Sequence, residues 1–248
     1  MSTLTNSPLY AFGTGQPLIV LNGWGWKTSI WDFLLPILAK EYQVIVVNLI
    51  EFSRREEMIS FLASHLPSQA IWLGWSLGGM LALDMAIQFP THVSKLITVA
   101  ASPKFLNAPD WPGTLANHFD QFVVEFTHDP ETALATFLTW QLRGSLPSLQ
   151  LKHDIKKKLI IPTQQVVPNL ISQLHLLATL DLRSELHKIH CPTLHFFGKN
   201  DILIPANTTP LIRNYLPLSR CEILNYSGHF PFLSQQNEFV TILKQFLF

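Results

Sequence analysis

Cysteine is scarce in this chain: Cys191 and Cys221 are the only two in 248 residues. Two separated thiols cannot staple a disulfide scaffold, and with scattered histidines they make no metal-ligand spacing. Each stands at a strand-like run, so both are expected to be reduced and buried, and no metal is expected. Charge is scarce too. Charged residues make up 14% of the chain, and 17 basic against 17 acidic residues leave a formal net charge of +0. That balance argues against nucleic acid as the partner. Long apolar runs are missing: nothing approaches the roughly 18 residues needed to cross a bilayer, so no membrane association is expected. The opening Met1 to Pro8 has neither a basic region nor an apolar one, which argues against a secretory leader and for a cytoplasmic protein.

What is abundant is apolar sequence, 48% of residues, arranged in alternation. Leu18-Ile19-Val20-Leu21, Val44-Ile45-Val46-Val47, Ala70 to Leu73 and Lys95 to Ala100 read as strands. The second is β-branched throughout, as expected of a strand buried on both faces. Between them, Ser29 to Lys40, Glu56 to His65 and Met80 to Ile87 read as helices. Strand-helix alternation of this kind predicts an α/β fold, a doubly wound and mostly parallel sheet with right-handed crossovers. From about Asn107 to Thr179 no strand is evident, only helical stretches broken by prolines. One begins with Asp129 as cap and Pro130 in the first turn, and runs to Leu142. Alternation resumes with Thr193 to Phe197, a helix near Leu211 to Leu216, Cys221 to Leu224 and a closing helix to Phe248. The expected organisation is a core of residues 1–106 and 180–248, with 107–179 inserted between sheet strands as a helical lid.

The chemistry concentrates at Gly74-Trp75-Ser76-Leu77-Gly78. A Gly-x-Ser-x-Gly run between a strand and a helix is the layout of a nucleophile elbow, a turn so tight that neighbouring side chains must be absent. Ser76 is therefore the candidate nucleophile. A serine hydroxyl needs a base, and the base needs an acid to fix its tautomer. Functional groups in parallel sheets gather beyond the carboxyl ends of strands. Among ten histidines only His229, beside Gly228, lies in a loop after a late strand; His195 sits within a strand and reads as core. Asp201 follows the preceding strand, with Asp110 as the alternative acid. For the oxyanion, the Leu77 N–H at the helix start is one expected donor, and the Trp24 N–H in the loop after the first core strand is the other.

These residues resemble the α/β-hydrolase superfamily, whose chain order of nucleophile, acid and base is that of Ser76, Asp201 and His229. Within it, the run from Ala70 to Gly79, Val99 to Pro103, Trp111-Pro112-Gly113 and Asp181-Leu182-Arg183 are similar to the esterases of the biotin pathway that demethylate pimeloyl-acyl carrier protein methyl ester. The resemblance implies a cytoplasmic carboxylesterase without a cofactor, and it places Phe137 on the acyl-chain wall. A monomer is expected. Two departures stand out: Asn22 replaces the family's histidine before Gly23, and Asn48 to Ser53 shortens the loop after the second core strand. The lid carries Arg143, Lys152, Lys156, Lys157 and Lys158 with only Asp154 between them, a positive patch suited to an acidic carrier protein or simply a solvated helix face. Other readings remain open: a short-chain esterase or enol-lactonase of the same superfamily, or a ligand receptor on the same scaffold.

Overall fold

The computed structural model describes residues 8–145, 147 and 149–248; most of the segment read for a leader, residues 1–7, lies outside them. The chain begins with β1 (Leu9–Phe12) and β2 (Gln16–Leu21), then α1 (Leu35–Leu38), β3 (Tyr42–Val47), α2 (Arg55–His65), β4 (Ala70–Trp75), α3 (Leu77–Gln88) and β5 (Val93–Val99). Four helices follow: α4 (Ala116–His128), α5 (Pro130–Leu142), α6 (Leu149–Lys156) and α7 (Val167–Thr179). The chain then returns through β6 (Thr193–Gly198), α8 (Thr209–Tyr215), β7 (Arg220–Leu224), α9 (Pro231–Ser234) and α10 (Gln236–Leu247).

The seven strands among the described residues lie in one sheet, ordered β1-β3-β2-β4-β5-β6-β7. Only β1 runs antiparallel, against β3. The six core strands are parallel, which the apolar runs explain. Their residues alternate between two buried layers. Leu18, Val20, Ile71, Leu73 and Trp75 pack with Trp31, Phe232 and Phe239, while Ile19, Leu21 and Trp72 pack against Met80 and Leu83 of α3. Since both faces are covered, no polar face is needed, and the strands read as continuous apolar segments. Winding reverses at β2, which has β3 on one side and β4 on the other. The carboxyl ends of β2 and β4 therefore flank the switch point where ligand sites form in open α/β sheets.

Two expectations need correction. The single helix foreseen over residues 29–40 is a 3-10 turn, Thr28–Phe33, followed by the four-residue α1 with Pro36 in its first turn. Apolar spacing there matched a helix, but proline cannot continue the hydrogen-bond ladder of the preceding turn. Strand β1 was not foreseen: it is four residues long, half exposed and followed by Gly13 and Gly15 at positive φ. The start of α5 is as expected, with the Asp129 carboxylate accepting from Thr132 N–H at 3.1 Å. No helix among the described residues is long and apolar enough to cross a membrane. Both cysteines are free thiols; Cys221 is buried as expected, whereas Cys191 is only half-buried, and desolvation pushes each up from its ordinary pKa.

His195 is the core residue it was expected to be. It is buried in β6, its Nδ1 is 2.6 Å from Thr98 Oγ1, and its Nε2 has no partner among the described residues. Burial alone lowers its pKa to about 4 from 6.5. An unfolded chain therefore binds a proton here between those values while the folded chain does not. The stability this supports is complete above pH 6.5 and is lost as pH falls toward 4, by about 3 kcal/mol. Urea titrations at stepped pH check this. The His195→Asn variant is expected to lose stability less steeply than the parent across that window, and parallel curves would refute it.

Candidate active site

The site is built where β4 gives way to α3. Ser76 occupies that junction at φ 54°, ψ −119°, a conformation that costs of order 1–3 kcal/mol unless the surroundings enforce it. They do. Ser76 N–H donates to Val99 O at 2.9 Å, and its carbonyl accepts from Gly79 and Met80. The flanking glycines are obligatory for the same reason. A Cβ on Gly74 would lie 2.2 Å from Gly78 O, and one on Gly78 would lie 2.4 Å from Leu21 O.

Past β6, Asp201 is 6% exposed. Its Oδ1 accepts the backbone N–H groups of Leu203 (2.9 Å) and Ile204 (3.1 Å), leaving Oδ2 free to face His229 Nδ1 at 2.7 Å. That division of labour fixes the ring: Nδ1 carries the proton toward the carboxylate, and Nε2 presents its lone pair. His229 is 1% exposed, and Nε2 is buried without a hydrogen-bond partner among the described residues, so its bond to Ser76 Oγ is not formed here. The backbone of His229 is held from two sides. Its carbonyl accepts from Trp75 Nε1 at 2.8 Å, and its N–H donates to Gln141 O at 3.1 Å. The alternative acid, Asp110, is on the surface in an ion pair with Arg183 at 2.9 Å, whose hydrogen bond lowers its pKa. Asp201, not Asp110, meets the histidine.

The loop after β2 comes up beside the elbow: a Cβ on Gly23 would be 3.1 Å from Ser76 Cβ. Neither the Trp24 nor the Leu77 backbone N–H has an acceptor among the described residues. Asn22 closes the loop through Nδ2, which donates to Trp26 O at 2.7 Å and Gly23 O at 3.2 Å. The Trp24 indole N–H reaches Leu170 O of α7 at 2.8 Å, and the ring packs edge-on against Phe122, Phe126 and Phe137. Residues of the helical insertion thus hold the loop. Phe137 also lines a cavity of about 510 Å³ with Phe105, Phe122, Trp140, Arg143 and Leu203; neither Ser76 nor His229 borders it. Phe122 and Phe137 thus touch both that cavity and the Trp24 ring of the loop.

Several residues of the site gave no signal in the sequence. Gln173 of α7 donates to both Leu49 O and Phe52 O at 2.9 Å, and Asn169 to Ile50 O at 3.2 Å. They pin the shortened loop after β3, whose Leu49 and Ile50 line a narrow crevice with Asn22, Gly23 and Leu77. Of the cations between Arg143 and Lys158, Lys157 lies 3.5 Å from Asp154, and Lys158 lies 2.6 Å from Asp32. Lys156 and Lys157 share a surface cleft with Lys27, Lys152 is exposed, and Arg143 lines the other cavity.

A family model described as the alpha/beta hydrolase fold matches residues 16–236. The chain belongs to the alpha/beta hydrolase family. Two relatives named pimeloyl-[acyl-carrier protein] methyl ester esterase are similar over nearly their whole length. One, from Legionella pneumophila (strain Corby), is 32% identical across 98% of this chain and 99% of its own. The other, from Photobacterium profundum, is 34% identical across 95% and 96%. An esterase structure from Exiguobacterium antarcticum superposes with a TM-score of 0.85 at 23% identity, covering 96% of this chain and 94% of that one. In this chain Ser76, Asp201 and His229 follow β4, β6 and β7.

Proposed function

We propose that this protein is a serine carboxylesterase that hydrolyses the methyl ester of a pimeloyl chain carried on acyl carrier protein, a step of biotin synthesis. The observation that carries the chemistry is the 2.7 Å contact of His229 Nδ1 with Asp201, which leaves a buried, unpartnered Nε2 as base. The substrate comes from the shared name of the full-length relatives.

In this reading Ser76, Asp201 and His229 are the catalytic residues. His229 Nε2 takes the Ser76 hydroxyl proton as Oγ adds to the ester carbonyl. The Leu77 and Trp24 N–H groups hold the oxyanion, where preorganised donors act most strongly because water is excluded. Collapse expels methoxide, which leaves as methanol with the proton from His229. Water, deprotonated by the same Nε2, then adds to the acyl-serine carbonyl; collapse breaks the bond to Ser76 Oγ, which takes the proton back from His229, and the acid is freed. No step calls for a cofactor. Residues 107–179 act as the lid over the core of 1–106 and 180–248, and Phe137 walls the acyl chain. The enzyme works as a cytoplasmic monomer.

Arg143, Lys152, Lys156, Lys157 and Lys158 form the surface for the acidic carrier. Since Lys157 and Lys158 already face Asp154 and Asp32, Lys152 and Lys156 contribute most of the available positive charge. Reversing Lys152, Lys156 and Lys157 to Glu is expected to lower kcat/KM for the carrier-bound ester about 10- to 100-fold at low salt. Hydrolysis of a free short-chain ester should stay within twofold. Equal losses on both substrates, or none on either, would remove the docking role.

A further inference from the structure

Both catalytic loops are gripped by one short stretch at the end of α5. Gln141 O accepts the His229 N–H at 3.1 Å. Ser145 Oγ accepts the Gly228 N–H at 2.7 Å, and Gly144 O accepts from Asn200 Nδ2 at 2.9 Å. Asn200 precedes the acid, and Gly228 precedes the base. Asn200 N–H also donates to Ser227 O at 2.9 Å, so the two loops and the strap form one hydrogen-bonded unit. The fit is close enough to demand glycine. A Cβ on Gly228 would lie 2.4 Å from Arg143 O. One on Gly144, at φ +76°, would lie 2.1 Å from Asn200 Cβ.

We infer that Gln141 to Ser145 is a positioning clamp for the base, with Ser145 as the side chain that holds the His229 loop in register with Asp201 and Ser76. This rests on the catalytic roles proposed above. The physical reason is that Gly228 is buried. Without Ser145 Oγ its N–H loses its acceptor, and a buried unpaired donor drives the loop to move. A misplacement of the base by about 1 Å costs on the order of 100-fold in rate without weakening substrate binding. The clamp runs on from the end of α5, the helix that lines the 510 Å³ cavity through Phe137 and Trp140.

The test compares Ser145→Ala, Ser145→Thr and Asn200→Ala with the parent on a free short-chain ester. The His229 Nδ1–H proton is followed in parallel as a low-field proton resonance, a signal that needs no turnover. Ser145→Ala should lower kcat about 10- to 100-fold with KM within twofold, and should shift or broaden that resonance. Ser145→Thr, which keeps the oxygen, should restore both. Asn200→Ala should give a smaller loss of the same kind from the acid side, and it stands in for Ser145→Ala if that variant does not fold. Unchanged kcat and resonance in the alanine variants would overturn the clamp. So would a loss of rate that leaves the resonance unmoved and that threonine does not rescue. If the parent cleaves no ester, or Ser76→Ala cleaves it equally well, the catalytic reading fails instead, and the resonance alone still reports the clamp.

Discussion

Ser76→Ala is expected to lower kcat about 10⁴-fold or more, with circular dichroism and the urea midpoint close to the parent's. The size follows from what is removed. Without Oγ no acyl-enzyme forms, and the remaining acceleration comes only from the oxyanion donors and from substrate placement. The fold should tolerate the change because Ser76 makes its hydrogen bonds through its backbone, to Val99 and from Gly79 and Met80. Alanine can take the same positive φ at similar cost, since the strain lies in the backbone and Gly74 and Gly78 still give room. Turnover within tenfold of the parent would mean that Ser76 is not the nucleophile.

Asp201→Asn should cost a comparable factor, on the order of 10⁴ in kcat, for a different reason. Two backbone N–H groups point at one side of this carboxyl group, from Leu203 and Ile204. An asparagine must offer them its oxygen, which turns its NH₂ toward His229 Nδ1. The ring then has to accept at Nδ1 and carry its proton on Nε2, where the lone pair was needed. The variant should fold normally, because both loop hydrogen bonds persist, and KM should hardly move. Turnover within tenfold of the parent would show that another group orients the imidazole.

The parts of this molecule that depend on local sequence were legible in it. The elbow was, because close packing allows only glycine at 74 and 78, and because six residues of strand and twelve of helix enclose it. The meeting of Asp201 with His229 was, because strand ends in a parallel sheet converge and few residues follow each strand. The broken helix at residues 28–38 was misread because apolar spacing was right while Pro36 set the local geometry. The supports of the site were not legible at all. Gln173 reaches Leu49 across 124 positions, Ser145 reaches Gly228 across 83, and the Trp24 indole reaches Leu170 across 146. A lone glutamine or serine in a helical stretch carries no periodic signal, and only the folded chain shows which buried carbonyl or amide it completes.

The departure at Asn22 has a physical reading. Its Nδ2 bridges Trp26 O and Gly23 O, so the loop that presents the Trp24 N–H is closed by a single side-chain amide. The same loop is tied outward by Ile160 N–H to Gly25 O at 3.0 Å and by Lys27 N–H to Lys158 O at 2.9 Å. The elbow, the loop after β2 and the helical insertion are thus one connected assembly.

The central claim is tested most directly by incubating the purified protein with pimeloyl-acyl carrier protein methyl ester and following the free carboxylate by mass spectrometry of the intact carrier. The expected result is many turnovers per enzyme molecule with the parent chain and none detectable with Ser76→Ala. Cleavage of free esters alone, with the carrier-bound ester untouched, would contradict the substrate while leaving the triad in place. Product formation that survives Ser76→Ala would contradict the mechanism itself.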